Sequence, residues 1–305
     1  GLAQDERHLA PLASDYVKID ERTLTDLVLF TQEFSRLVLF YNADNEIFDD
    51  WRRFFQKSQV VTLATISQIK LDVLAREFSE HTQVASRIFP GNVQLRAIKR
   101  MFADTLDLAL LLDRWLKDLR KENRQLRVAN QIRKAITGDL ATSMCRFGKY
   151  AEEAATPAVL NTSMNVDTAS LSNVWDNEGC TAESIFIGAT PQEKISHGAS
   201  FIAAIFQKLL QEALRVQATA QRELSSTLSD LTAVKPHIGL LVAFFKIYRH
   251  TQQSLNTISE RHLRFYYRSV LRMVPQSFVP DNALVYFDLT PGDEAYSLAD
   301  RKSVV

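Results

Sequence analysis

From Val93 to about Ala154 the chain contains no proline and only two glycines, Gly138 and Gly148. A stretch of that length without chain-breakers reads as long helix. Within it Ile98, Phe102, Thr105, Ala109, Leu112, Leu116 and Leu119 alternate steps of four and three, the spacing of a heptad seam. Met101, Leu108 and Trp115 occupy a third heptad position beside it. Three apolar positions per heptad make a face too wide for a two-stranded coil, so a bundle with several neighbours is expected. Past Leu119 the seam turns polar at Asn123 and Asn130. That half is expected to protrude, or to meet a partner that needs its register fixed.

The whole chain shares this economy of turns, with 9 glycines and 8 prolines in 305 residues. At 46% hydrophobic it can build a sizeable core in one or two domains. Its 36 basic and 36 acidic residues cancel, so no global field points to nucleic acid or to a membrane. The two cysteines, Cys145 and Cys180, make no disulfide framework and suit a reducing compartment. Residues Gly1 to Ser14 lack the basic and apolar regions of a secretory signal, and the missing initiator Met suggests that the native start is absent. The longest apolar run, Ile238 to Phe245, is too short for a membrane span.

Thr23 is placed to cap a helix, with Asp26 as its reciprocal partner. Leu24, Leu27, Val28, Thr31, Phe34, Val38 and Tyr41 then share one helical face, and Asn42-Ala43-Asp44-Asn45 signals a turn. Further helix is expected from Phe48 to Phe55 and from about Val60 to Ile88, with a break at Pro90-Gly91-Asn92. Between Thr156 and Thr190, Ser, Thr, Asn, Ala and Gly dominate, and Trp175 and Phe186 stand as isolated anchors. This reads as a long irregular insertion, partly ordered. Pro191 opens a helix to about Leu231 with Phe201, Ile205, Leu209, Leu224, Leu228 and Leu231 on its buried face. Pro236 starts the last long helix, whose seam runs through Leu241, Phe244, Tyr248, Thr251, Leu255, Ile258, His262 and Phe265. It is expected to end near Met273, before Pro275. Leu284 to Leu289 reads as a strand whose partners lie elsewhere.

No phosphate cradle, zinc signature or nucleophile elbow occurs, so no cofactor, metal or catalytic residue is expected. His250 and His262, on one continuous helix, would stand ~18 Å apart and cannot share a metal. Cys145 reads as a small buried hydrophobe. One charge cluster stands out: Arg114, Lys117, Arg120, Lys121, Arg124, Arg127, Arg133 and Lys134 face only Asp118 and Glu122. It reads either as a solvated or protein-contacting helix face, or as a contact for an acidic partner or nucleic acid. No aromatic side chains are interleaved for base stacking.

Two segments resemble a known family. The first runs Tyr16-Val17-Lys18-Ile19-Asp20-Glu21-Arg22-Thr23-Leu24-Thr25-Asp26-Leu27, continuing through Phe40-Tyr41-Asn42 to Asp50-Trp51 and Phe54-Phe55. The second is Arg261-His262-Leu263-Arg264-Phe265-Tyr266-Tyr267-Arg268, then Val270-Leu271, Pro275, Pro280-Asp281 and Val285-Tyr286-Phe287. Their order and spacing resemble the large baseplate wedge subunit of extracellular contractile injection systems of the antifeeding-prophage type. The likeness covers some 80 residues at the two ends, and Arg264 departs from it where an acidic residue is expected. The resemblance implies a structural part in a six-fold, phage-tail-like particle assembled in the cytoplasm. Its partners would be other wedge subunits, spike or hub, and sheath, joined through helical bundles, with no catalysis, cofactor or nucleic acid. It also implies that the family chain continues past the strand.

The expected fold is mainly α: a long-helix bundle with coiled-coil-like seams, leading into a β-containing region at the C-terminus. The expected parts are residues 1–155 helical, 156–190 an insertion loop, 191–274 a long-helix hairpin, and 275–305 the start of a truncated β-containing domain. The candidate interface residues are Phe102, Leu112, Trp115 and Leu116 on the first seam. On the second they are Leu241, Phe244, Tyr248, Leu255, Ile258, His262, Phe265, Tyr266 and Tyr267. The candidate basic contact face comprises Arg114, Lys117, Arg120, Lys121, Arg124 and Arg127. The alternative function is a helical adaptor or tether that binds an acidic protein through that face.

Overall fold

The computed structural model describes residues 16–56, 58–87, 92–122, 127–176, 179–229 and 234–274. The expected strand at Leu284 to Leu289, Arg124, Asn123 and Leu231 lie outside them, as does the side chain of Lys121. The fold is mainly α, as expected. The chain divides into two units, one of residues Ile19–Leu255 and one combining Gly1–Lys18 with Asn256–Val305.

The larger unit begins with α1 (Leu24–Phe34), where Thr23 and Asp26 form the expected capping box. Leu27 and Val28 are its buried residues. The helix stops at Phe34, seven residues short of the periodic face read through Tyr41 (41 − 34 = 7). The run Leu37-Val38-Leu39-Phe40-Tyr41 is rich in residues that favour a pleated surface, and it turns into a hairpin instead. Strand β1 (Leu39–Tyr41) pairs antiparallel with β2 (Ile47–Asp50), with a bulge between Phe40 and Tyr41. Asn42 Oδ1 closes the turn by accepting from Asp44 N at 3.0 Å and Glu46 N at 2.9 Å. Asn45 takes a φ of 60°, a value that Asn tolerates. The expected helix from Phe48 is therefore strand first, then the short α2 (Arg52–Gln56).

The expected helix from Val60 is two helices, α3 (Gln59–Gln68) and α4 (Leu71–Ser86). Ile69 is extended between them, and a distant amide serves the freed carbonyls. Gln217 Nε2 donates to Ile66 O and Ser67 O at 3.3 Å and to Ile69 O at 2.7 Å. Helix ends leave such carbonyls without intrahelical partners, so this residue finishes α3 from across the bundle.

Helix α5 (Val93–Glu122) follows, then α6 (Arg127–Ala135), a π-turn (Ile136–Leu140) and α7 (Ala141–Ala155). All ten residues of the predicted wide seam on α5 are buried. They meet several helices, as a face of that width requires: α5 packs on α3, α4, α6 and α8. Helix α8 (Pro191–Ser229) is 39 residues long, about 58 Å at 1.5 Å per residue, and packs on α3, α4, α5, α6 and α7. Phe206 of α8 and Phe78 of α4 stack with ring centres 3.6 Å apart and planes 2° off parallel. On α8 the residues Ile205, Leu209, Leu224 and Leu228 are buried as expected, but Phe201 is exposed and Ile202 and Phe206 take the inward places.

The described residues of 156–190 are irregular apart from two 3₁₀ turns, Thr168–Ser170 and Asn173–Trp175. They are nonetheless bound down. Trp175 and Phe186 are buried anchors, joined by Met164 and Ile185. Phe186 packs against Gly198 of α8, where a Cβ would come within 2.6 Å of its ring. The two cysteines correct the reading of free thiols, because Cys145 of α7 and Cys180 of the insertion form a disulfide. The spacing in sequence gave no sign of it; the closing of the insertion onto α7 brings the two Cα atoms to 6.3 Å.

The last helix of this unit is α9 (Pro236–Asn256). In the other unit, α10 (Ile258–Phe265) and a π-turn (Tyr266–Val270) are described. The expected single helix from Pro236 to Met273 is thus interrupted at Thr257.

Candidate interaction surfaces

The first predicted interface is core. Phe102, Leu112, Trp115 and Leu116 are all buried inside this chain, so none is open to a second one. Periodicity reports which face of a helix is covered; it does not report by what.

The second predicted seam is rotated. On α9 the buried residues are Ile238, Val242, Phe245 and Gln252, with Leu241 and Tyr248 half-buried beside them. Phe244, expected inside, is exposed, and so are Leu240 and Ile247. The helix carries apolar residues on two sides, one set inward and the other exposed. Leu255 is half-buried. Ile258, His262, Phe265, Tyr266 and Tyr267 of the smaller unit are exposed. Arg264, the departure from the family pattern, pairs with Glu260 one turn earlier at 2.7 Å.

The hairpin region exposes more. Phe30 and Phe34 of α1, Leu37, Ile47 and Phe48, and Trp51 and Phe54 are all open to solvent. Phe48 is 70% exposed and Leu240 76%. A lone apolar residue at a surface needs no explanation, but a group of them does. The rings here are grouped. Phe30 stacks on Phe34 at 5.9 Å, Phe40 meets Phe48 at 5.7 Å, and Trp51 meets Phe54 at 5.6 Å. His237, at the start of α9, reaches Phe54 O at 3.2 Å and ties the hairpin side to the helix whose outer face carries Leu240, Phe244 and Ile247.

What fastens α9 there is a polar lock in the first resembling segment. Arg22 donates to both oxygens of Asp20, at 2.9 and 2.8 Å, and Tyr248 donates its hydroxyl to the same carboxylate at 3.0 Å. Gln252 Nε2 donates to Arg22 O at 2.7 Å. The Arg22 guanidinium holds the Asp20 carboxyl well below the ordinary carboxylate range.

The basic face divides. Arg114, Lys117 and Arg120 of α5 converge with Arg133 of α6 on a cleft of about 900 Å³, closed on one side by Ser170 of the insertion. Arg127 lies elsewhere, in a separate hollow with Glu223 of α8. Beneath the cleft sits a residue that periodicity did not flag. Asp113 is buried on α5, accepts from Trp175 Nε1 at 3.2 Å and from Ser172 Oγ, and pairs with Lys117 at 2.6 Å. It pins the insertion to the helix and neutralises one cation of the cleft. Among the described residues Arg114, Arg120 and Arg133 form no ion pair.

Among the described residues no three His, Cys, Asp or Glu side chains gather in a metal-binding arrangement. No described helix is long and apolar enough to cross a membrane. No protein-family model matches the chain, and no curated protein matches it.

Proposed function

We propose that this chain is a structural baseplate wedge component of a contractile injection system, linking spike or hub to sheath through helical contacts and doing no catalysis of its own. The family resemblance at its two ends suggests the particle. One physical observation carries the role of assembly subunit: the grouped, exposed aromatic and aliphatic residues of α1, the hairpin, α2 and the outer face of α9. Apolar surface of that extent is covered by another protein in a working assembly, and aromatic anchors such as Trp51, Phe48 and Phe244 are the residue types that carry binding energy.

Light scattering on the full chain, alone and with the second wedge protein of the same particle, tests the reading. The expected result is self-association of the chain alone and a stable, stoichiometric complex when the partner is supplied. A monodisperse monomer at micromolar concentration that ignores the partner would overturn it.

A further inference from the structure

The geometry points to the cleft between α5, α6 and the insertion as a docking site for an acidic polypeptide segment of a partner protein, separate from the apolar surface of α1, the hairpin and α9. Three guanidinium groups without ion-pair partners among the described residues, Arg114, Arg120 and Arg133, border it. A guanidinium presents a rigid fork of donors that matches a carboxylate in pairs.

Spacing favours a polymer over a single small anion. Arg114 and Arg120 are six residues apart on one helix (120 − 114 = 6), about 9 Å along its axis. Arg133 reaches the same cleft from α6, so the three cations are spread over two helices rather than set on one turn. An extended peptide, rising about 3.3 Å per residue, covers the Arg114 to Arg120 spacing in roughly three residues and offers a carboxylate at either end.

The lining favours a peptide over nucleic acid. Asp113 and Asp118 stand among the cations, the first held by Lys117 and the second engaged by another neighbour. Lys117 is already balanced by the buried Asp113, and Asp118 meets a uniform polyanion with its own charge. A peptide places its acids against the arginines and a neutral residue or donor against Asp118. Leu110 and the amide of Asn130 complete the wall, and no aromatic ring offers a platform for a base.

Fluorescence anisotropy of a labelled polyglutamate peptide of about ten residues, long enough to overrun the cleft, tests the site on the full chain. Saturable binding is expected. Arg120→Glu combined with Arg133→Glu is expected to weaken it at least about tenfold. Lys134→Glu makes the same charge change on α6 but lines a neighbouring hollow that meets the cleft at Asn130, and should weaken binding clearly less than the double reversal. If the double reversal disturbs folding by circular dichroism, Arg114→Gln with Arg133→Gln replaces it with the same expectation. The site is overturned by absent or non-saturable peptide binding, by equal loss with Lys134→Glu, by tighter binding of single-stranded oligothymidylate, or by full competition from inorganic phosphate. None of these outcomes bears on self-association through the apolar surface, so the two readings fail separately.

Discussion

The Tyr248 hydroxyl donates to Asp20 Oδ2 at 3.0 Å across 228 residues of chain. One carboxylate thereby joins the segment before the first helix to the middle of α9, and Arg22 closes the triad, donating to both Asp20 and the Tyr248 hydroxyl. Its pKa is depressed in the fold. A depressed acid contributes stability in full above its unfolded value, about 3.9, and loses it as pH falls through the lower folded value. Asp20→Asn is therefore expected to melt below the parent at pH 7. The gap should begin to close only as the pH drops below about 4. Melting curves at neutral and acid pH check this, and an unchanged gap in acid would contradict it.

Glu223 has the opposite sign. Burial pushes its carboxyl up from the ordinary value, and its Oε2 has no hydrogen-bond partner, while backbone N–H groups of Arg127 and Val128 at the start of α6 bond to the carboxylate. A raised acid weakens the fold once ionised, so the cost is present at high pH and absent below its unfolded value near ~4.3. Glu223→Gln keeps an acceptor for those N–H groups and removes the charge. Its Tm should match or exceed the parent's at pH 8, with the difference gone near pH ~4.

Gly198 is required by a ring. An added Cβ would press on Phe186 at 2.6 Å, and that ring is buried, with little room to move aside. Gly198→Ala should cost about 1–3 kcal/mol. At Gly138 an added Cβ would meet nothing within 4 Å. That position is the control, since Gly138→Ala should be neutral or gain about 0.4–1 kcal/mol. Denaturant midpoints decide between them.

The Cys145–Cys180 bond spans a sequence separation of 35, a loop for which chain entropy gives roughly 3–4 kcal/mol. The insertion has other fastenings: Glu153 accepts from Ile185 N at 3.4 Å, and His197 Nδ1 meets Ile185 O at 2.8 Å. Cys180→Ser should lower the Tm yet leave a folded chain, with protease cleavage rising within residues 156–190. Complete unfolding on reduction would show that the other fastenings count for little.

Outward apolar residues should behave differently from inward ones. Phe48→Glu with Ile247→Glu is expected to shift unfolding by no more than about 0.5 kcal/mol and to reduce self-association in sedimentation. Leu112→Ala, at a buried seam position, should cost about 2–5 kcal/mol.

The α5 seam was readable because a face buried by several helices carries its period without interruption from Ile98 to Leu119. The α9 seam misled because Leu240, Phe244 and Ile247 are as apolar as Ile238, Val242 and Phe245, and periodicity cannot rank two apolar faces of one helix. The hairpin had a usable sign, the aromatic run before Asn42-Ala43-Asp44-Asn45, which a helical spacing happened to overlay. Arg114, Lys117 and Arg120 were visible as charges; their meeting with Arg133 over Asp113 was not, since it depends on α6 folding back along α5 and on Ser172 and Trp175 arriving from the insertion.

The inward direction of the α5 seam has a kinetic corollary. A chain whose widest seam is satisfied internally can reach its fold without waiting for a neighbour. Any association would then follow mass action, each bound partner adding stability as the logarithm of its concentration over its Kd. On the proposed role as an assembly subunit, the timing of growth would be set by the supply of subunits, with the exposed hairpin as the surface on which concentration acts.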